Sequence, residues 1–304
     1  MAEGRYRIVG LGELLWDLLP AGRQLGGAPA NFAYISTLLG NEGIIASRIG
    51  ADALGSEAER MLEQHGLSTK YIQRDSVHPT GKVLVEVDGR GQPRFEIAEG
   101  AAWDFLEWTE EWHALAAEAD AVCFGSLAQR GATSRTTIRQ FLGALNRSAI
   151  RVFDVNLRQS FYSKEVVTES LVLADILKIN DEELAKIMAL CGLEHRDEIG
   201  SARALLAIAN LKLVCVTRGG RGSLLVKGNS VSEHPGQRVQ VADTVGAGDA
   251  FTAALVHSYL RGASLHAMNE AANRVGAWVA SQTGAMPAVG AGGLGKILKA
   301  DLGG

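Results

Sequence analysis

Asp243 and Asp249 bracket a run of small residues in VADTVGAGDAF, residues 241–251. Gly246, Ala247 and Gly248 carry almost no side chain, so their backbone N–H groups can converge on one concave site. A helical pattern follows in GAGDAFTAALVHSYLRG, and a helix start adds the positive end of its dipole. Phosphate, or charge developing on a phosphoryl group, fits such a place. Asp249 beside it can take a proton from an attacking hydroxyl. An acid at a helix start is also a common cap, and this stretch by itself leaves both roles open.

A second glycine-rich junction lies upstream in GGAPANFAY, residues 26–34. Gly26 and Gly27 permit close backbone approach, and the Asn31 amide can both donate to and accept from a neutral hydroxyl. Asp17, in ELLWDLLP, is an acid inside an apolar run. It is either a surface acid or an acceptor for sugar hydroxyls, which must be re-paired when they leave water. DVNLRQ (154–159) and KINDEE (178–183) both close strand-like runs, the edge where open α/β sheets bind ligands. There Arg158 can clamp phosphate oxygens. Asn180 and Glu183 can hold Mg2+, directly or through water. Each of these is also an ordinary polar residue at a helix start. VTRGGRGS (216–223) offers a further strand end with glycines, suited to a nucleotide lying against backbone.

The elements that must position these groups are short apolar runs: YRIVGLG, GIIASRIG, DAVCFGS, IRVFDVN, ADILKIN and LKLVCVTRGG. Most lack polar alternation, as strands buried on both faces do. Helical patterns alternate with them. The expected class is α/β, a mostly parallel sheet with helices on both faces. TGKVLVEVDGRGQPRFEIAEG, residues 80–100, breaks the rhythm with two strands around a glycine-rich turn. Val83, Val85 and Val87 share one face of it, and Leu84, Glu86 and Asp88 the other. It reads as a small extra sheet, which ELLWDLLP can join. Such a sheet is either a plain surface hairpin or a lid that excludes water. The whole chain, 1–304, is expected as one domain, with the extra-sheet segments near 13–26 and 79–103 and a glycine-rich tail at 288–304.

Composition narrows the function classes. The chain has 304 residues, 47% hydrophobic and 21% charged, with a net charge of −4. This is ordinary for a globular protein and argues against broad nucleic-acid or anionic-membrane binding. No apolar stretch is long enough for a membrane span, and the start shows no signal-peptide layout. Cys123, Cys191 and Cys215 are far apart and form no pair motif; this is the usage of a reducing cytoplasm. The seven histidines make no metal motif. Gly290, Gly292 and Gly295 match G-x-G-x-x-G, and GAGGLGKI is nearly a P-loop, but neither follows a strand. Both read as decoys in a flexible end.

Gly26–Asn31 and Asp243–Phe251, in that order, resemble the two signatures of the ribokinase-like, or PfkB-type, carbohydrate kinases, and the likeness runs over nearly the whole chain. GELLWDLLP, GGAPAN and GAAWD are most similar to the fructokinase branch. Ala28 and Pro29 stand where ribose kinases tend to carry Lys and Gly, and Leu15 where they tend to carry Asn, which counts against ribose. The resemblance implies a ribokinase-like fold with a small β-sheet lid. It also implies transfer of the γ-phosphoryl of ATP to a sugar hydroxyl, first of all fructose to fructose 6-phosphate. A 2-keto-3-deoxygluconate kinase, a ribokinase and a nucleoside kinase are alternatives within it. A nicotinamide-dependent dehydrogenase lacks its early glycine fingerprint here, and a sensor without catalysis has no use for Asp249.

By that resemblance, Asp249 is the general base and the amides of Gly246, Ala247 and Gly248 form the anion hole. Asp17, Gly27 and Asn31 bind the sugar, with Phe95 and Trp103 as further sugar contacts from the lid. Asn180 and Glu183 order Mg2+, and Arg158 steadies phosphates. Thr217, Gly219, Gly222 and Asn273 flank the nucleotide, together with Asn180 and Gly248. Asp243, Val245 and Gly284 match a site for a monovalent cation such as K+. Lid sheets of this family often pair between subunits, so a homodimer is expected.

Overall fold

The apolar runs become strands because their alternate side chains have two cores to enter. The computed structural model of the chain describes residues 5–19, 22–87, 93–289 and 294–295. Its elements, in order, are β1 (Arg7–Leu11), β2 (Leu15–Leu19), β3 (Gly22–Gly26), α1 (Ala28–Leu38), β4 (Glu42–Gly50), α2 (Ala53–Gln64) and β5 (Ile72–Asp75). They continue with β6 (Gly81–Val87), β7 (Pro93–Ile97), α3 (Glu110–Glu118), β8 (Ala121–Phe124), α4 (Ala132–Ala144), β9 (Ile150–Asp154) and α5 (Lys164–Leu173). The rest are β10 (Ile176–Asn180), α6 (Asp181–Leu190), α7 (Glu198–Ala209), β11 (Leu213–Thr217), β12 (Ser223–Lys227), β13 (Ser230–His234), α8 (Ala247–Leu260) and α9 (Leu265–Ala280).

Among the described residues, nine strands form one sheet in the order β13-β12-β11-β10-β9-β8-β1-β4-β5. From β11 through β5 every neighbour pair is parallel. Ile8 and Cys123 enter one core with Ile35, Phe251 and Leu255, while Val9, Leu11 and Phe124 enter the other with Phe141 and Leu184. The sheet is therefore the middle of three layers, as the expected α/β class requires. The strand order reverses at β1, which lies between β8 and β4. In open α/β sheets the crevice at such a reversal, beyond the strand C-termini, is where ligands bind.

The far edge differs from a plain parallel sheet. β12 and β13 are antiparallel, and Lys227 pairs with Ser230 across the two-residue turn Gly228-Asn229. Gly228 has φ +56°, the hairpin chemistry that Gly-Asn favours. That dipeptide was the readable signal for this pair.

The extra sheet is present. It has four strands in the order β3-β2-β6-β7. ELLWDLLP supplies β2, antiparallel to β3 and parallel to β6. β6 and β7 make the expected hairpin, from Val83 opposite Ile97 to Val87 opposite Pro93. Val83 and Ile97 are buried, whereas Leu84 is exposed, so the valine face turns inward at Val83. The turn residues 88–92 lie outside the described residues, as do Gly290 and Gly292 of the tail. Among the described residues no helix is long and apolar enough to cross a membrane. Cys123 and Cys215 are buried and all three cysteines are free.

Candidate active site

Two helix starts converge on the crevice beside β1. Most helices here begin with a side-chain cap: Asp52, Thr109, Ser163, Asn180, Asp197 and Ser264 each accept a backbone N–H. α1, α4 and α8 have none, and each begins at a glycine, Gly27, Gly131 or Gly246; of these, α1 and α8 start at the crevice. The first-turn N–H groups have no partner within a helix, so an uncapped start leaves them for a ligand. Gly27 has φ +109° and packs on the β1–β2 turn, where a Cβ would lie 2.5 Å from the Glu13 carbonyl oxygen. Gly246 has φ +77°, and a Cβ there would lie 2.5 Å from the Ala285 Cβ. The Ala247 N–H turns back toward the Thr244 carbonyl at 3.3 Å, which leaves Gly248 as the freer donor.

Asp249 is not a cap. Its Oδ2 accepts a hydrogen bond from Asn31 Nδ2 at 2.8 Å. The two signatures, 218 residues apart in sequence, thus meet through their most polar side chains. Burial pushes the Asp249 carboxyl up to about 6, helped by the charge of Asp154; the Asn31 hydrogen bond, Lys178 and Arg158 pull it back. It is ionised at neutral pH and basic enough to receive a proton. Asp17, on β2, is also raised to about 6 by burial, lowered by Arg158 and raised by Asp243. Glu13, in the β1–β2 turn, is 3% exposed. Perturbed carboxyls gathered at a strand-end crevice mark a working site.

Below Asp249 lies a buried ion pair. Lys178 Nζ donates to Asp154 Oδ1 at 3.0 Å, and Thr252 Oγ1 donates to Asp154 Oδ2 at 3.0 Å. Burial works against the lysine charge, but Asp154 and Glu183 outweigh it and hold Lys178 protonated. A Cβ on Gly248 would come within 3.2 Å of Lys178 Nζ. The cation therefore stands directly behind the first turn of α8, where its field favours an anion. The loop after β9 carries two non-glycine residues at positive φ, Asn156 at 42° and Gln159 at 47°. Such backbone conformations cluster where function fixes them.

Asn180 and Thr217 are register partners at the ends of β10 and β11. Gly219 is exposed beside them with open space where a side chain would be, which leaves an open surface there.

Residues 21–290 match the profile of the pfkB family carbohydrate kinases. The chain belongs to that family. It is 33% identical to a fructokinase of Klebsiella pneumoniae over 259 residues, 81% of this chain and 82% of that one. The structure resembles the uncharacterized sugar kinase PH1459 of Pyrococcus horikoshii in complex with ATP. That pair has 30% identity and a TM-score of 0.77, covering 92% of this chain and 94% of that one. It also resembles a double-mutant fructokinase of Vibrio cholerae O395 bound to fructose, ADP and a potassium ion. There the identity is 26% and the TM-score 0.79, over 95% of this chain and 96% of that one.

In this carbohydrate kinase several expected site residues take other positions. Asn180 and Glu183 do not fit as direct Mg2+ ligands. Glu183 Oε1 accepts from the Leu157 N–H at 2.7 Å and Oε2 from the Asn180 N–H at 3.0 Å, while Asn180 Oδ1 accepts from the Glu183 N–H at 2.8 Å. The pair is a capping box. Trp103 is fully buried with the Arg130 guanidinium 4.0 Å from its ring centroid, and presents no surface to a sugar. Asn273 is buried in a network with Ser223 and Asn269, and its amide Nδ2 is taken up there. Gly222 is buried, and a Cβ there would lie 1.9 Å from the His234 carbonyl oxygen. Phe95 lies on β7. Arg158 is exposed, and its charge lowers Glu13, Asp17 and Asp249 alike, which places it among them. Asp243 gathers its own cluster: Oδ1 accepts from the Val245 N–H at 3.0 Å and Oδ2 from the Gly284 N–H at 3.2 Å.

Glu13, Asp154, Asn156, Lys178 and Thr252 were not anticipated. Lys178 and Asp154 had a signal, since a charge inside a doubly buried strand needs a partner. The tightness of the α8 start gives a test. Gly246→Ala is expected to push the first turn off Ala285 and lower kcat by about 10²-fold through misplacement of the donors. Steady-state kinetics at saturating sugar and ATP measure it, and an unchanged kcat would show that this turn tolerates displacement.

Proposed function

We propose that this kinase transfers the γ-phosphoryl of ATP to the 6-hydroxyl of fructose. The observation that carries the reading is the 2.8 Å contact between Asn31 and Asp249, which joins the hydroxyl-binding junction to the anion-binding one. The fructokinase similarity and the absence of the ribose-kinase residues at Leu15, Ala28 and Pro29 favour fructose within the family.

The sugar lies between Asp17, Gly27 and Asn31 on one side and the start of α8 on the other. Asp249 takes the hydroxyl proton as the sugar oxygen bonds to the γ-phosphorus. The bond from that phosphorus to the bridging oxygen breaks, and its electron pair leaves on ADP. Charge on the phosphoryl oxygens is met by the N–H groups of Gly246 and Gly248, by Arg158 and by the field of Lys178. Positioning and electrostatics supply most of the barrier reduction in this chemistry. ATP rests on the shelf of Asn180, Thr217 and Gly219. Within this reading the small sheet is a lid whose closure excludes water, with Phe95 on its β7 strand.

Glu183 does not fit as a direct Mg2+ ligand, because each of its oxygens accepts a backbone N–H; it would order the ion through water. A monovalent cation beside Asp243, Val245 and Gly284 would be held mostly by backbone carbonyls, because both Asp243 oxygens already accept backbone N–H groups. K+ there would add positive charge near the start of α8.

A coupled ADP-release assay over hexoses, ketoses, pentoses, sugar acids and nucleosides tests the function. Fructose is expected to give the highest kcat/KM, with 6-phosphorylated product by NMR. Preference for 2-keto-3-deoxygluconate, ribose or a nucleoside would move the chain to another branch of the family.

A further inference from the structure

Glu13 has no role in the reaction as described, yet it lies at the reaction centre. Its carboxyl is almost wholly buried, and its Oε2 has no hydrogen-bond partner among the described residues. The Asn31 Oδ1, on the residue that holds Asp249, is likewise buried without a partner. Glu13, Asp249, Asp154 and Thr252 line one cavity beneath the α1 start, large enough for about one water molecule. An unpartnered buried carboxyl oxygen is costly, and its place beside a second carboxyl calls for a proton between them.

We propose that Glu13 is a positioning carboxyl of the reaction centre that shares one proton with Asp249 across this cavity. The inference rests on the kinase reading above. When both acids are ionised, two negative charges face one poorly solvated space and repel. Uptake of one proton relieves that repulsion, so Asp249 is a stronger base with Glu13 present than without it. In the reaction the sugar O–H bond breaks and its proton enters the Glu13–Asp249 pair. The pair passes from two negative charges to one, while the electron pair of the cleaved P–O bond leaves on ADP. The proton returns to water when product leaves.

The groups facing Glu13 come from several elements. Asp249 of α8 raises it, Arg158 of the loop after β9 lowers it, and the backbone N–H groups of Glu13 and Ala28 lower it. Burial is the largest influence and carries Glu13 to about 7. Asp154 of β9, neutralised by Lys178 of β10, borders the same cavity. Cys123 of β8 completes the wall, its thiol held protonated by burial and by the charges of Asp154, Asp249 and Glu13.

Carboxyl-13C NMR of the native chain, titrated without substrate, tests the coupling directly. Glu13 and Asp249 are expected to titrate in shared, two-step curves. Simple one-step curves for both would overturn the proposal, whatever the variants do. In Glu13→Gln the upper of the two steps is expected to be lost, leaving Asp249 a single step at the lower one, and the acid limb of kcat/KM is expected to move down by about one pH unit. The sign follows from removing a negative neighbour, which lets Asp249 ionise at lower pH. A uniform loss of activity with the acid limb in place would mark Glu13 as merely structural and overturn the proposal. If no sugar supports ADP release by the native chain, the kinase reading fails, and the NMR titration still decides the fate of Glu13.

Discussion

Asp249→Asn is expected to lower kcat by about 10²–10⁴-fold, the range for loss of a general base, while ATP binding and the fold persist. The Asn side chain can still accept from Asn31 Nδ2, the contact seen at 2.8 Å, so the two helix starts remain joined. The variant is also expected to be more stable than the native chain at neutral pH. The native carboxyl is raised to about 6, chiefly by burial, so its charged form destabilises the fold. That destabilisation is absent below the unfolded value of 3.8 and complete above about 6. The gain in melting temperature should therefore grow between these limits and level off above them. Turnover measurements and melting curves from pH 4 to 8 check both parts. Full activity in the variant would remove Asp249 from the chemistry, and a gain independent of pH would remove its burial as the cause.

Lys178→Met is expected to be the most destabilising single change near the site. Lys178 is 7% exposed and its partner Asp154 is 5% exposed, so the change leaves a buried carboxylate without its cation. Breaking such a pair costs about 3–5 kcal/mol, because the remaining charge has no solvent to meet it. Thr252 continues to donate to Asp154 but supplies no charge. Adding Asp154→Asn removes the orphaned charge and should recover most of the loss. Urea unfolding of the single and double variants measures the cycle. In the double variant stability returns but turnover stays low, because the field behind Gly248 is still missing. Equal recovery of both would confine the pair to a structural role.

Much of this molecule was legible before any coordinates. The strands were readable because Val, Ile and Leu fill both faces of a buried sheet, and the small sheet because Val83 alternates with the exposed Leu84. Asp249 and Asn31 were readable as chemistry because a glycine-rich junction precedes each of them. Glu13 was not, because GLGELLWD gives no hint that this acid turns inward beneath α1 rather than out to solvent. Which charge Lys178 meets was hidden for a related reason, although a charge in a buried strand signals some partner. Its pairing with Asp154 crosses from β10 to β9, and a one-dimensional pattern carries no register between strands. For Glu183, read as holding Mg2+ directly or through water or as a helix-start residue, the spacing already spoke against the direct mode. Asn180-x-x-Glu183 satisfies the capping-box rule, and the local bond takes precedence over the metal.

The β2–β3 hairpin leaves the body at Glu13 and returns at Gly27, and those two points touch, since a Cβ on Gly27 would lie 2.5 Å from the Glu13 carbonyl. The small sheet therefore has a pinched stem on this side. A displacement of β2 or β3 would bear directly on the start of α1. Any tilt is felt first at the turn holding Glu13 and at the helix start holding Asn31. Under the proposed lid reading, a sugar beneath the small sheet and the base at Asp249 are coupled through this stem.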